Sequence, residues 1–269
     1  MKAFYKKRKI AVAFHLLAIL LLSQIAISAD NDNTVISNVE SAINQGVSTE
    51  IIARVLSYSI DYRLNTEQAS YIISILTEAH KANLPLNPIH DKIREGLNKQ
   101  IPPKLLIVGL RRHLDDYIFV NKLLYNKYND SNAYNDEEII GLVDSINYGI
   151  TKDEMKQLFK IAPMVPPEML SIASKNKALL RQIGYDDKLI DDILITGLEN
   201  NSLTSRWELL FKVAAAADKK EISKTAFVNA SKIVLSQNGD IVQVLELLDF
   251  TLRDVKHGPH LDSLSEEND

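Results

Sequence analysis

Beyond residue 29, apolar residues recur three and four positions apart along nearly the whole chain, and strict alternation is almost absent, so the pattern predicts helices throughout. Leu106, Leu110, Leu114 and Ile118 form one such stripe; Ile190, Ile193, Leu194 and Leu198 form another. Pro102 to Asn126 reads as one long helix.

The breaks between stripes share a local chemistry. A small or polar residue ends one helix, one apolar residue follows, and a cap or proline opens the next. Gly46-Val47-Ser48, Gly149-Ile150-Thr151 and Gly184-Tyr185-Asp186 are the clearest cases, with Gln100-Ile101-Pro102 and Ser202-Leu203-Thr204 as variants. Glycine suits the left-handed position after a helix, Ser, Thr or Asp caps the next set of amides, and proline fits a first turn. The apolar residue between them is placed to pack against the helix it leaves.

These apolar boundary residues are spaced regularly. Val47 to Leu84 is 37 residues, Leu64 to Ile101 is 37, Ile150 to Tyr185 is 35, Val165 to Leu203 is 38 and Tyr185 to Ile222 is 37. A helix pair recurring at that interval is the scale of an α-solenoid. A longer correspondence aligns residues 41–48, SAINQGVS, with 144–151, DSINYGIT, at an offset of 103. The expected fold is therefore all-α, built of helical-hairpin repeats in two related units of about 100 residues. The first unit spans 30–128 and the second 139–253, joined by the polar linker YNDSNAYNDEE around 129–138, with a flexible acidic tail at 254–269.

The first 29 residues break the pattern. Lys2, Lys6, Lys7, Arg8 and Lys9 precede an apolar run from Ile10 to Leu22, and a stretch of small residues ends in Ala26-Ile27-Ser28-Ala29. Thirteen residues, apolar except for His15, fall short of the roughly 20 that cross a hydrocarbon core but suit a secretion signal cleaved after Ser28 or Ala29. Retention as a membrane anchor over Ile10 to Ala29 is the alternative. Once the five basic residues leave with the signal, the net charge moves from −4 to −9. A chain that acidic, with no basic stripe, is a poor ligand for nucleic acid or an anionic membrane. The absence of cysteine rules out disulfides, a thiolate nucleophile and a lipid-modified processing site. Sequons at Asn129, Asn200 and Asn229 are about as many as chance supplies in so Asn- and Ser-rich a chain.

Several clusters carry candidate chemistry, and each has a structural reading. Of Asp186, Asp187, Asp191 and Asp192, Asp187 and Asp191 stand one helical turn apart as cation ligands or an acid/base pair would, but the reading taken is that Asp186 and Asp187 cap a helix while the second pair faces solvent. The linker is rich in oxygen donors, yet Asn135 stands where a calcium loop beginning at Asp130 needs glycine, and Tyr134 stands at a ligand place. His257 and His260 supply two imidazoles without the further ligands of a tetrahedral site. His80, His90 and His113 stand singly on helices and read as surface or boundary residues. Arg111 and Arg112 precede Asp115 and Asp116 by four residues and so support one helix. Tyr117, Phe119, Tyr125, Tyr128 and Tyr134 could stack on sugars or peptides, though packing is the default for aromatics on an apolar helix.

Glu40-Ser41 resembles the Glu-Ser pair of lytic transglycosylases, but the Gly-Leu-Met-Gln string of that family is missing and the resemblance stops there. The serine-hydrolase elbow, the zinc-protease motif, the phosphate loop and the dinucleotide fingerprint are absent too. No catalytic, metal or cofactor-binding residue is assigned. The expected function is that of an exported, periplasmic, non-catalytic module that binds a protein or peptide of the cell envelope, with no nucleic acid partner and no stable membrane insertion after cleavage. A peptidoglycan hydrolase or lyase, and a secreted protein acting on a host or competitor, are the alternatives.

Overall fold

The computed structural model describes residues 29–61, 64–161, 165–251 and 255; the proposed signal up to residue 28, and His257 and His260 in the tail, lie outside them. Among the described residues there are twelve α-helices and no strand, so the fold is all-α. In chain order they are α1 Ala29–Asn44, α2 Thr49–Asp61, α3 Thr66–Lys81, α4 Asn87–Asn98, α5 Pro103–Tyr128, α6 Asp136–Asn147, α7 Lys152–Ile161, α8 Pro167–Gln182, α9 Asp187–Glu199, α10 Leu210–Lys219, α11 Lys224–Ser236 and α12 Ile241–Leu247. A 3-10 helix, Ser205–Leu209, precedes α10.

The chain divides into two compact units, residues 1–119 and 120–269, and the division falls inside α5. In the first unit α3 packs on α1 and α2, and α2 on α4. In the second, α8 is the central element, packed against α6, α7, α9, α10 and the 3-10 helix, while α9 and α11 form a second close pair. Contact on so many sides leaves α8 with little free surface: Leu170, Ile172, Ala173, Ala178 and Leu180 are buried together with Ser174, Asn176 and Lys177. The expected stripe Ile190, Ile193, Leu194 and Leu198 is fully buried, as are Leu106, Leu110 and Leu114, whereas Ile118 is half-buried.

The helix ends follow the chemistry written in the sequence. Gly46, Gly149 and Gly184 have φ of +95°, +113° and +85°, a region costly for residues with a side chain. The amide just past each of these glycines bonds to the carbonyl five residues back, Val47 to Ala42, Ile150 to Ser145 and Tyr185 to Leu180, at 3.0, 3.1 and 3.1 Å. The three apolar residues concerned are buried. Asn83, Gln100, Asn201, Glu221, Asn238 and Asp249 adopt the same left-handed conformation without being glycine. At the boundary expected on Ser202-Leu203 the left-handed residue is Asn201 and the closing amide that of Ser202, one position earlier than the spacing implies. Ile101 closes its helix on Gly96 at 2.9 Å yet remains exposed, unlike its counterparts.

Helix starts are equally local. Thr151 Oγ1 accepts from the Glu154 amide at 3.2 Å, and Asp186 accepts from that of Leu189 at 2.9 Å. Asn65 with Gln68, Asn135 with Glu138 and Asp240 with Gln243 form reciprocal capping boxes. Residues 136–138 thus belong to the first turn of α6, and residues 129–135 carry the connection from α5. No helix of the described residues is long and apolar enough to cross a membrane.

Candidate functional site

The acidic segment that opens α9 is the most chemically loaded part of the sequence, and each of its four carboxylates meets a partner. Asp186 caps α9. Asp187 accepts from Arg181 Nε at 3.0 Å and Nη2 at 2.6 Å, and Asp191 accepts from Lys177 Nζ at 2.5 Å. Asp192 lies 3.8 Å from Lys232 Nζ on α11. The second aspartate pair does not simply face solvent, because α8 and α11 bring cations to it.

Arg181 also reaches Glu154 on α7 at 2.5 Å, so one guanidinium joins the starts of α7 and α9 to the end of α8. Hydrogen bonding to Arg181 holds the Glu154 carboxyl at about 2, against an ordinary 4.5, with the Thr151 amide and hydroxyl adding to the effect. Arg181 is raised in return, first by Glu154 and then by Asp187. Lys177 sits deeper, with 8% of its side chain exposed. Next to it, the buried Asn176 donates to the carbonyls of Ile172 and Trp207 at 3.1 and 2.9 Å, and the Trp207 indole donates to Gly239 at 3.1 Å. Closed ion pairs of this kind hold helix ends in register.

A comparable anchor in the first unit is Arg111, which bonds Glu78 on α3 at 2.5 Å and Asp115 one turn along α5 at 3.0 Å. The expected Arg111–Asp115 pair is thus present, while Asp116 is buried and Arg112 exposed. Glu95 is held at about 2 by hydrogen bonds from Lys99 and Lys92.

The histidines divide. His80 is half-buried and its Nε2 would lie 3.0 Å from a Cβ placed on Gly46. His113 is half-buried edge-on to Tyr117, its ring centroid 5.0 Å away, and burial lowers its pKa. His90, expected at the surface or a boundary, is buried, because its place on α4 turns it inward with Ile89 and Ile93, near the Tyr58 ring at 5.9 Å. Burial lowers its pKa, aided by Arg54 and Arg94 and opposed by Asp91.

The aromatics do not form one stacking surface. Tyr117 is buried, Phe119 is half-buried, and the Tyr128 hydroxyl donates to the Val165 carbonyl at 2.6 Å. Tyr134 donates to Asn121 at 2.9 Å, leaving Tyr125 as the exposed member. Glu40 is exposed on α1, and Ser41 accepts from Gln45 at 2.7 Å. Among the described residues, no group of three or more His, Asp or Glu could hold a metal ion.

Two features went unread in the sequence. Lys177 and Arg181 are four apart, as are Asp187 and Asp191, and across the Gly184 turn the outer residues pair with each other and the inner with each other. That is the signature of an antiparallel helical hairpin with a charged seam, and the spacing alone could have revealed it. The other is the first half of α5, where Leu105 and Val108 are 63% and 65% exposed. The chain matches no known family model, no curated protein and no solved structure.

Proposed function

We propose that this chain is an exported, periplasmic helical-repeat protein that works as a non-catalytic protein- or peptide-binding module. The observation that carries the reading is the sequence distance spanned by contacts between helices. Glu154 and Arg181 are 27 residues apart, Asn176 and Trp207 31, Glu78 and Arg111 33, Tyr148 and Gln182 34, and Gly184 and Lys224 40. Bonds of that reach are what stacked helical pairs would make, and the repeated faces of a solenoid characteristically recognise other polypeptides.

Two further correspondences support related halves. Closing bonds Gln45 to Ser41, Gly46 to Ile43 and Val47 to Ala42 recur 103 residues later as Tyr148 to Asp144, Gly149 to Ile146 and Ile150 to Ser145. Gly96 and Gly197, 101 apart, each accept the closing bond of their helix and each lie beneath a leucine, Leu106 and Leu203. The signal-like residues 1–29 support export, and the acidity of residues 30–269 argues against a nucleic acid partner.

The competing reading is a peptidoglycan hydrolase or lyase, whose general acid would need a raised carboxyl pKa. Hydrogen bonds from neighbouring cations move Glu95 and Glu154 the opposite way. Incubating the mature protein with purified peptidoglycan discriminates the two. The binding reading expects no soluble fragments; release that a single carboxylate-to-amide substitution abolishes would replace it with the enzymatic one.

A further inference from the structure

The chain contains a single Asn-Gly pair, Asn238-Gly239, and it stands just past the end of α11. Asn83, Asn129, Asn201 and Asn238 all adopt a left-handed conformation, with φ between 51° and 55°. The first three are followed by Leu84, Asp130 and Ser202, so only Asn238 precedes a glycine. At position 239 the packing demands one. A Cβ there would lie 2.0 Å from Gln243 Oε1, 2.7 Å from Val234 Cγ1 and 3.1 Å from the Val234 carbonyl oxygen. Asn238 itself is exposed, and among the described residues nothing bonds to its side-chain amide.

An asparagine before a glycine is chemically labile. Once the glycine backbone nitrogen gives up its proton, it attacks the asparagine Cγ and closes a five-membered ring. The Cγ–Nδ2 bond breaks and ammonia leaves, carrying the equivalent of that proton. Water then opens the succinimide at either carbonyl to give aspartate or isoaspartate, and the second product lengthens the main chain by one carbon. Glycine permits the attack because no Cβ crowds the nitrogen and the backbone turns freely.

The fold holds this reaction back. The Gly239 amide donates to the Val234 carbonyl at 2.8 Å, which fixes the nitrogen and keeps its proton in place. The Gly239 carbonyl accepts from the Trp207 indole at 3.1 Å, and Asp240, next in the chain, caps α12 and pairs with Arg206 at 3.1 Å. The nucleophile is released only when the end of α11 frays.

We propose that Asn238 is a deamidation site that the fold keeps slow: fraying at the end of α11 frees the Gly239 nitrogen, and conversion to isoaspartate then parts the Trp207 indole from the Gly239 carbonyl. A carbon added between positions 238 and 239 displaces Gly239, which can no longer keep both its bond to Val234 and its bond to the indole. The aspartate product preserves the main chain and only adds a carboxylate at the C-terminal end of α11, where the helix dipole opposes it.

Ageing the full chain in mildly alkaline buffer, folded in one sample and in concentrated urea in another, with peptide mapping by mass spectrometry, tests the site. In urea Asn238 should deamidate faster than any other asparagine, and severalfold faster than Asn201, which serine follows. In the folded chain the same conversion should be slower by about tenfold or more. Gln243→Ala removes a bond to the Asp240 amide at 3.1 Å, so it should speed the folded reaction and leave the rate in urea unchanged. The isoaspartyl fraction, separated by chromatography, should show altered emission from Trp207, the sole tryptophan, whereas Asn238→Asp should keep the parent emission. Equal rates in the folded and unfolded chain overturn the proposal, as does an Asn238 no faster than Asn201 in urea. So does a Gln243→Ala chain that deamidates at the parent rate when folded, or an isoaspartyl chain whose Trp207 emission matches the parent's.

Discussion

Replacing Arg181 by methionine should destabilise the second unit in a way that depends on pH. The guanidinium holds the Glu154 carboxyl at about 2 instead of 4.5. At about 1.4 kcal/mol for each tenfold change in proton affinity, the ceiling on that coupling is roughly 3.4 kcal/mol. Glu154 is 22% exposed and Arg181 33%, so solvent screening brings the expected loss at pH 7 to about 1.5–2 kcal/mol. A carboxyl lowered on folding stabilises fully above its unfolded value and loses that contribution as pH falls through its folded one. The gap between wild type and Arg181→Met should therefore be constant above pH 4.5 and close as pH approaches 2. Urea unfolding monitored by fluorescence is the assay, since the sole tryptophan, Trp207, is buried in this unit and reports on it alone. A gap that persists at pH 2.5 would refute the electrostatic origin and assign the loss to the packing of the arginine stem.

The same geometry yields other outcomes. His90 has its pKa lowered below 6.5 by burial and by Arg54 and Arg94, so the folded state resists its protonation. Stability of the first unit should be flat above pH 6.5 and fall below it, and His90→Gln should lessen that fall while leaving the part due to His113; an NMR titration of the His90 imidazole that gives an ordinary value would contradict this. Gly197→Ala should cost about 1–2 kcal/mol by urea unfolding, because its Cβ would lie 2.6 Å from Leu203 Cγ, whereas Gly96→Ala meets only the tip of Leu106 at 2.5 Å and should be near neutral. Mass spectrometry of the mature chain should find its first residue at Ala29 or Asp30; recovery of Met1 would overturn export by a cleaved signal.

Much of the fold was legible because its determinants are local. Apolar spacing located the helices, and Gly, Ser, Thr and Asp at the boundaries announced the turns seen at Gly46, Gly149 and Gly184. The long helix read over Pro102 to Asn126 is present as Pro103–Tyr128. The turns at Asn83 and Glu221 were marked only by the apolar residues after them, Leu84 and Ile222, and the one at Asp249 went unread, because a polar residue can adopt a left-handed conformation for a cost that a closing bond offsets. His90 was misread for a different reason: a lone histidine on a helix reveals its environment only when Tyr58 arrives from α2. The acidic run at 186–192 reads as caps and a solvent-facing pair; the cap at Asp186 is present, but Lys177 and Arg181 of α8 pair with Asp191 and Asp187, partners that a reading of the run by itself leaves out. The exposed stretch of α5 looked like any apolar helix, since periodicity reports which residues share a face and not whether anything covers it.

Whether the chain is a binding module of the envelope is decided by crosslinking the tagged mature protein in its native envelope and quantifying what is joined to it. A particular polypeptide other than the chain itself should be recovered at reproducible stoichiometry, with the crosslinks confined to one face of its helices. Recovery of nothing but the chain itself, or of glycan strands in place of polypeptide, would contradict that role.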